Sequence, residues 1–209
     1  MALQFKLSGG ASNGSSDASL GGIRSTTSVS DATNENVLDD ITRKEILVGK
    51  TEYRCFYIYN SSATLSVHGN TLYIDEDPSA TTVTIGIDPA GSGNGTTSGV
   101  AQTIITEDTA PTGVTFEDAG EFRVKLAIPH LLPLESQAIW IKRVASVGTG
   151  GVITVGVTGT GNEEAMPVGP GSEDFHDADG LSIGERTSIA AVLPPFLIGT
   201  ARIGFSEIG

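Results

Sequence analysis

The sequence predicts an all-β fold, most simply a β-sandwich. Several short segments are rich in Val, Ile, Thr and aromatic residues and alternate between apolar and polar positions, which is the pattern of a strand with one buried face. Glycine, with 27 residues among 209, and nine prolines separate these segments and supply turns. No apolar pattern continues at helical spacing, and many short strands joined by Gly and Pro turns are typical of sandwiches.

The most strand-like segment is residues 51–60, Thr-Glu-Tyr-Arg-Cys-Phe-Tyr-Ile-Tyr-Asn. It is rich in aromatic residues, and nothing in it breaks a strand. Alternate residues lie on opposite faces of a strand, so Cys55 and Tyr57 share one face while Phe56 and Ile58 share the other. Because both faces are largely apolar, we predict an interior strand that is packed on both sides.

The first 36 residues are predicted to form an N-terminal strand followed by an extended arm. Leu3, Phe5 and Leu7 alternate as in an edge strand. Residues 8–30 are mostly Gly, Ser, Ala and Asn, and a segment with so little to bury cannot offset its own ordering entropy. We therefore expect this arm either to be flexible or to become ordered against a neighbouring molecule.

Residues 37–48 fit two patterns. Val37, Leu38 and Ile41 stand at helical spacing, but Glu45 interrupts that face. We interpret this part of the chain as a strand that ends in a turn at Gly49.

The sandwich itself is predicted to span residues 37–158, with turn chemistry between its strands. A Gly-rich loop is expected at residues 88–99 and an apolar loop at residues 131–134. The further strands are expected at residues 65–67, 71–74, 82–87, 103–106, 122–128, 137–144 and 152–157. The residues expected in the core are Phe56, Ile58, Leu72, Ile74, Val83, Ile85, Trp140 and Ile141.

Residues 159–209 are predicted to form an irregular C-terminal region. Between residues 159 and 180 the composition shifts to Gly, Pro and acidic residues. Apolar runs then flank Pro194 and Pro195. Two interpretations of these runs remain open, because they suit either a strand of the core or a surface that contacts a partner.

The composition excludes several classes of partner. The net charge is −13 and the pI is near 4.4, so we expect neither nucleic acid nor an anionic membrane to bind. No N-terminal segment resembles a signal peptide, and no apolar run is long enough to span a bilayer. The single cysteine, Cys55, lies in the strand at residues 51–60 and is predicted to be a buried, unreactive thiol.

No set of residues forms a credible catalytic pattern, so we predict a protein that is not an enzyme and that binds no cofactor or small-molecule substrate. Residues 10–14 match the hydrolase pattern G-x-S-x-G, but no amphipathic helix follows them as that motif requires. Residues 49–51 resemble the end of a phosphate loop. There Lys44 stands where a glycine is required, and a strand follows instead of a helix.

One acidic loop is a candidate calcium site. Its members are Glu173, Asp174, Asp177 and Asp179, and carboxylate oxygens are ligands that calcium prefers. The spacing departs from that of an EF-hand loop, because Phe175 occupies the first ligand position. A solvated acidic loop is therefore the favoured interpretation, and no metal is predicted. The three histidines of the chain are scattered and share no metal-ligand spacing.

Four stretches resemble a family of virion structural proteins of tailed bacteriophages. They are residues 3–10 (LQFKLSGG), 51–57 (TEYRCFY) with Asn60, 110–116 (APTGVTF) and 139–143 (IWIKR). The resemblance runs from the N-terminus to about residue 157. Because these motifs are structural, the resemblance implies a fold and a virion setting rather than a reaction. We expect the sandwich to be Ig-like or jelly-roll-like.

The small size, the acidic Gly/Ser/Thr-rich composition and the N-terminal arm are similar to those of capsid decoration, or cement, proteins. This resemblance implies a location on the outer surface of the capsid, where the protein bridges neighbouring subunits of the major capsid protein and contacts copies of itself, for example as a trimer at a symmetry axis. The alternative is a tail, neck or baseplate component, including a module that binds host-surface glycans. The residues expected to make partner contacts are Leu3, Phe5, Leu7, Arg24, Pro194, Pro195 and Phe196.

Overall fold

The structure is a computed structural model that describes residues 3–29, 36–39, 41–76, 81–118, 126–145, 151–163 and 186–191. Most of the regular structure in these ranges is strand, so the all-β prediction is confirmed. In chain order the elements are β1 (Leu3–Leu7), β2 (Gly21–Gly22), α1 (Arg43–Val48), β3 (Thr51–Asn60), β4 (Leu65–Glu76), β5 (Thr81–Gly93), β6 (Ala101–Thr103), β7 (Leu126–Ala127), β8 (Ser136–Ala145), β9 (Gly151–Glu163) and β10 (Arg186–Ala191).

Two antiparallel sheets make up the sandwich. The first has the strand order β1-β3-β8-β5 and the second has the order β10-β9-β4-β7. Strands β2 and β6 form a separate antiparallel pair. In the ranges that the structure describes, no helix is long and apolar enough to cross a bilayer.

Strand β3 lies inside the first sheet and has a neighbour on each side. Its Ile58 is opposite Phe5 of β1, and its Cys55 is opposite Trp140 of β8. Nearly all of its side chains are buried, whichever face they lie on. The prediction of an interior strand that is packed on both sides is therefore confirmed.

The main core lies between the two sheets. Phe56 and Ile58 of β3 meet Leu72 and Ile74 of β4 in this cluster, together with side chains from β1, β5, β7 and β8. All eight side chains predicted to be in the core are buried; seven belong to this cluster, and Trp140 lies on the opposite face of the first sheet. Burying a large aliphatic or aromatic side chain contributes about 1.5–3 kcal/mol, so these contacts are the main source of stability.

A second, smaller cluster covers the other face of the first sheet. Cys55, Tyr57 and Trp140 lie on that face, and Leu20 and Phe116 pack against them from loops. The loops that cover this face come from residues 8–29 and 94–118, and they carry the β2–β6 pair. The described residues therefore form three layers: the second sheet, the first sheet and a layer of loops.

Gly21 allows the loop layer to approach the first sheet closely. Its backbone has φ +89°, and a Cβ atom at this position would lie 1.8 Å from the carbonyl oxygen of Gln102 and 3.1 Å from the Trp140 ring. Only glycine adopts this conformation without strain and also leaves room for these neighbours.

Residues 8–29 correct the prediction of a free or neighbour-bound arm. They fold back over the chain's own first sheet: the amides of Ser25 and Val29 donate to carbonyl oxygens of β1 at 2.8 and 2.9 Å, and the Cys55 amide donates to Ser19 O at 2.8 Å. Hydrogen bonds from short polar side chains order this segment, which has few apolar side chains to bury. The Asn13 side chain donates to Ser8 O at 2.5 Å, and the Ser25 hydroxyl donates to Asn13 O at 2.6 Å. Strand β1 and this covering segment thus pack as one unit with the strands that follow residue 37.

Helix α1 corrects the prediction of a strand before Gly49. Thr42 caps the helix, accepting from the Glu45 amide at 3.3 Å, while the Glu45 side chain accepts from the Thr42 amide at 2.7 Å. This reciprocal pair satisfies two backbone donors at the first turn. Gly49, in the left-handed conformation, ends the helix. The local capping signal therefore decides the structure of this segment.

Several strands are longer than predicted. Strand β4 continues through residues 68–70 with an irregular register, where a turn or a bulge was expected, and β5 extends to Gly93 into the predicted Gly-rich loop. Strand β9 extends to Glu163, past the predicted end of the sandwich at residue 158. Backbone pairing with a neighbouring strand holds each extension, and residue composition alone does not reveal such pairing.

Candidate functional site

A network of buried charges lies where β3 begins. Lys50, Glu52 and Arg54 follow one another at alternate positions, and Glu52 is directly opposite Arg143 of β8. The side chains of Glu52, Arg54 and Arg143 are almost fully buried. Charges are rarely buried unless they are paired, so the partners of each group determine what this site can do.

Arg143 joins β8 to the segment before α1. It donates from Nη1 to Asp39 O at 2.7 Å and from Nη2 to Asp39 Oδ1 at 2.9 Å. Its Nη2 also contacts Glu52 Oε1, in an ion pair that lacks the alignment of a good hydrogen bond. Arg143 therefore contacts two carboxylates that are 13 positions apart in the sequence, at the end of the first sheet where β3 begins.

Lys50 joins α1 to the loop that follows β6. Its Nζ lies 2.8 Å from Glu45 Oε1 and 2.5 Å from Glu107 Oε1. Arg54 contacts the other oxygen of Glu107. The Glu107 carboxylate thus accepts hydrogen bonds from two cations. The backbone carbonyl oxygen of Glu107 also accepts a hydrogen bond from the Tyr53 amide, at 2.6 Å.

The pKa values show how the network distributes its charge. Burial raises the pKa of Glu52 to about 7, although Arg143 opposes that shift. Burial also disfavours the ionised form of Glu45, but hydrogen bonds from Lys50 and Thr42 lower its pKa to about 2. Burial acts in the same direction on Glu107, yet Lys50 and Arg54 lower its pKa. Five carboxylates, including Asp17 at 4.0 Å from Arg54, face three cations. Among Glu45, Glu52 and Glu107, only Glu52 has a raised pKa.

Asp39, Glu52 and Glu107 place carboxylate oxygens within 4.8 Å of one another, as metal ligands do. Each of these carboxylates, however, is already in contact with an arginine or lysine of the network. A metal ion would have to compete with those cations for the same oxygens. The arrangement therefore fits a structural ion network that ties α1, β3, β8 and the loop after β6 together.

A second feature lies at the opposite end of β3. The segment Leu131–Glu135, which we call the leucine loop, leads into β8, and the side-chain amide of Asn60 holds its first part. This amide donates to the carbonyl oxygens of Leu65, Leu131 and Leu132, at 2.7, 3.3 and 3.0 Å. Because Asn60 is fully buried, these bonds fix the start of the leucine loop to the scaffold.

Leu134 has φ +63°, which is a strained conformation for a bulky side chain. Its amide donates to Ser62 O at 3.0 Å, and the Glu135 side chain accepts from the Leu132 amide at 3.0 Å. Leu132 and Leu134 are nevertheless 39% and 48% exposed. The backbone strain at Leu134 is thus the cost of a loop that presents two leucines to solvent. Strain of this kind concentrates at sites of function.

The leucine loop was predicted only as an apolar connection. Its sequence signal is the run of three leucines around Pro133, but nothing in that run indicates a left-handed backbone at Leu134. The structure also stacks His68 on His130 beside this loop, with ring centroids 3.9 Å apart. These two histidines were predicted to be scattered, and the antiparallel bridge between Val67 and Leu131 places them opposite each other.

The predicted partner-contact residues fall into three groups. Leu3, Phe5 and Leu7 lie in the main core, buried by the chain's own strands, so they present no surface to a partner. Arg24 stacks on the ring of Tyr59, 3.9 Å from its centroid, and is partly exposed. The third group, Pro194, Pro195 and Phe196, lies outside the described residues, as do the calcium candidates Glu173, Asp174, Asp177 and Asp179.

Cys55 is fully buried, as predicted. Burial raises the pKa of its thiol far above the ordinary value, which disfavours the reactive thiolate. The neighbouring Tyr57 hydroxyl donates to Gly22 O at 2.6 Å and accepts from the Ala101 amide at 2.8 Å. The Tyr57 hydroxyl therefore helps to hold the loop layer on the first sheet.

Comparison with known proteins assigns no family to the chain. No family model matches it, and no curated protein matches it. A solved structure with some similarity is the crystal structure of the CupB6 tip adhesin from Pseudomonas aeruginosa, with a TM-score of 0.23 and 10% sequence identity. That match covers 69% of this chain and 48% of the adhesin chain, so this chain corresponds to about half of that protein. A TM-score this low supports neither a shared fold nor a shared role.

Proposed function

We propose that this protein is a non-enzymatic structural component of a tailed-bacteriophage virion, and specifically a decoration protein on the outer surface of the capsid. The proposal rests on the resemblance of residues 3–10, 51–57, 110–116 and 139–143 to virion proteins of that kind. The observation that carries it further is the leucine loop, which offers a partner a preformed apolar contact.

The leucine loop suits a contact with a protein subunit. Removing exposed aliphatic side chains from water at the surface of a partner contributes favourable free energy to an interface. The bonds from Asn60 and Ser62 already order the loop, so binding loses little conformational entropy. In the proposed role, Leu132 and Leu134 enter an apolar depression on the major capsid protein.

The ion network supports the same role indirectly. Arg54 and Arg143 are buried, so they add no positive charge to the surface. Their charges are paired with the carboxylates of Glu107, Glu52 and Asp39. With a formal net charge of −13, the surface suits a partner whose contact region is basic. Association should then weaken as the salt concentration rises.

Weak single contacts are sufficient for this function. A capsid offers many equivalent sites in a closed symmetric lattice. Contacts between neighbouring copies hold each copy close to its site, so its effective concentration there is high and weak contacts suffice for retention. Such a protein would contribute strength to the shell without determining its geometry.

The test compares complete particles with particles that lack this protein. Labelled protein should appear on the shell in electron micrographs, and particles without it should release DNA at a lower temperature than complete ones. Label on the tail, with DNA retention unchanged and adsorption to host cells lost, would overturn the decoration proposal in favour of a tail, neck or baseplate role. Purified sugars that displace the label from cells would then identify the glycan-binding alternative.

A further inference from the structure

Helix α1 presents apolar side chains to solvent in the described part of the structure. Its Leu47 and Val48 are 72% and 70% exposed, and none of its residues is buried. Ile105, in the loop after β6, is 89% exposed. A helix of six residues is too short to be stable by itself and depends on packing of its apolar face. We call Leu47, Val48 and Ile105 the helix patch, and its exposure requires an explanation.

The three residues lie at one end of the sandwich. Lys50 joins α1 to the loop of Ile105, because it bonds both Glu45 and Glu107. The amide of Ala145, the last residue of β8, donates to Lys50 O at 2.8 Å, so β8 ends beside the helix patch. The leucine loop is at the other end of β3 and is a separate surface.

The C-terminal end of β10 lies at this same end of the molecule. Ala191 is opposite Gly151, the first residue of β9, and only residues 146–150 separate Gly151 from Ala145. That connection spans at most about 20 Å when fully extended. Residues 192–198 reach about as far, at roughly 3.3 Å for each residue. The chain that follows β10 is therefore long enough to extend from Ala191 towards the helix patch.

The sequence of residues 192–198 suits an apolar surface. It reads Val-Leu-Pro-Pro-Phe-Leu-Ile, without a polar side chain. Pro194 and Pro195 carry no amide hydrogen, so they cannot donate to a ladder that continues the pairing of β10. Consecutive prolines favour an extended conformation, which docks on apolar surfaces through side chains.

We propose that residues 192–198 lie across the helix patch of the same chain, with Phe196 and its neighbours covering Leu47, Val48 and Ile105. This contact supplies the packing that α1 otherwise lacks. It also assigns Pro194, Pro195 and Phe196 to the chain's own fold, and it is independent of the virion proposal. The other occupants of the patch, a second copy and a different protein, are distinguished by the experiment.

Paired cysteines test the proposal in the full-length protein. Val48→Cys with Phe196→Cys should form a disulfide under mild oxidation and remain a monomer in non-reducing electrophoresis, because the two positions are in contact. Leu132→Cys with Phe196→Cys is the matched control and should stay reduced, since Leu132 lies at the opposite end of the sandwich. A disulfide-linked dimer with Val48→Cys would assign the patch to a second copy, and equal cross-linking of both pairs would reflect an unattached segment; either result overturns the proposal.

Thiol labelling supplies a second readout that does not depend on disulfide geometry. In Val48→Cys alone, a maleimide should react about tenfold more slowly than in the same variant with Phe196→Asp and Leu197→Asp, because those charges release the segment. The buried Cys55 thiol serves as the internal reference for an intact fold. Equal labelling rates at residue 48, with Cys55 still protected, would show that residues 192–198 do not cover the patch.

Discussion

The indole of Trp140 donates from Nε1 to Asp88 Oδ2 at 2.7 Å, and both side chains are almost completely excluded from solvent. The same oxygen accepts from the backbone amide of Gln102 at 3.2 Å, while Asp88 Oδ1 accepts from the backbone amide of Ala90 at 2.8 Å. Asp88 therefore joins β8, β5 and the loop layer through one carboxylate. Buried polar groups satisfied in this way select a single packing arrangement.

Substitutions at Trp140 should separate ring packing from this hydrogen bond. We expect Trp140→Ala to lower the free energy of unfolding by about 3–5 kcal/mol, because it leaves a large cavity. Trp140→Phe keeps much of the ring and should cost about 1–3 kcal/mol, since Asp88 loses a donor. Denaturant unfolding measures both values. The exposed control Thr64→Ala should change stability by less than about 0.5 kcal/mol, and a similar small change in Trp140→Ala would contradict the enclosed position of the ring.

Leu134 should be unimportant for stability and important for binding. We expect Leu134→Asn to leave the free energy of unfolding unchanged or to raise it by up to about 1 kcal/mol, because asparagine tolerates the left-handed backbone better than leucine does. Binding of this variant to particles that lack the protein should weaken. In contrast, Leu131→Ala removes a buried side chain of the same loop and should cost about 2–5 kcal/mol. Binding that is unaffected by Leu134→Asn would remove the leucine loop from the proposed interface.

Glu52 should make the protein less stable as the pH rises. Its pKa in the folded state, about 7, is higher than the ordinary value of 4.5, so the protonated form stabilises the fold. This contribution is fully present below pH 4.5 and is lost as the pH rises through 7, and it amounts to about 3 kcal/mol. Glu45 and Glu107 have lowered pKa values, so their contributions are instead lost as the pH falls below 4.5.

The substitution Glu52→Gln isolates this effect, because glutamine keeps the shape of a protonated glutamate. We expect the variant to gain stability relative to the natural protein between pH 5 and 8, by about 3 kcal/mol at the upper limit. Denaturant unfolding at intervals of pH provides the comparison. Two stability curves that run parallel across this range would mean that Glu52 is ionised throughout and that Arg143 outweighs its burial.

The segment at residues 8–29 should be ordered in the isolated protein. We expect the amides of Ser25, Val29 and Cys55 to exchange slowly with deuterium, because each donates to a backbone carbonyl between this segment and the first sheet. The Ser15 amide, whose hydrogen bond to Asn13 Oδ1 is exposed to solvent, should exchange quickly and serves as the control within the same segment. Fast exchange at Val29 in the free protein, slowed only on the particle, would restore the neighbour-bound arm.

Local sequence accounts for most of the strands and of the core. The alternation in β3 and the β-branched residues of β5 and β8 fit a pleated, half-buried surface, and that preference acts over a few residues. The buried positions of Phe56, Val83 and Trp140 follow from it. A capping box at Thr42 and Glu45 was also present locally, but the prediction for residues 37–48 rested on their apolar pattern alone.

The candidate sites could not be predicted in the same way, because their parts are far apart in the sequence. Arg143 meets Asp39 across 104 positions, and the amide of Asn60 meets Leu132 across 72. Neither pairing has a signal in composition or periodicity. The left-handed backbone at Leu134 likewise follows from bonds made by Ser62 and Asn60, and not from the leucine itself.

The sequence by itself thus determined an all-β protein with an interior aromatic strand, a buried unreactive Cys55 and an acidic surface, since each depends on residue type and short-range alternation. Tertiary structure alone decided that Leu3, Phe5 and Leu7 belong to the core, that residues 8–29 cover the first sheet and that Glu52 lies between cations. The physical reason is that burial and pairing depend on which distant segments meet. A polar, Gly-rich segment gains its order from hydrogen bonds to a sheet that is complete only after β8 has joined it.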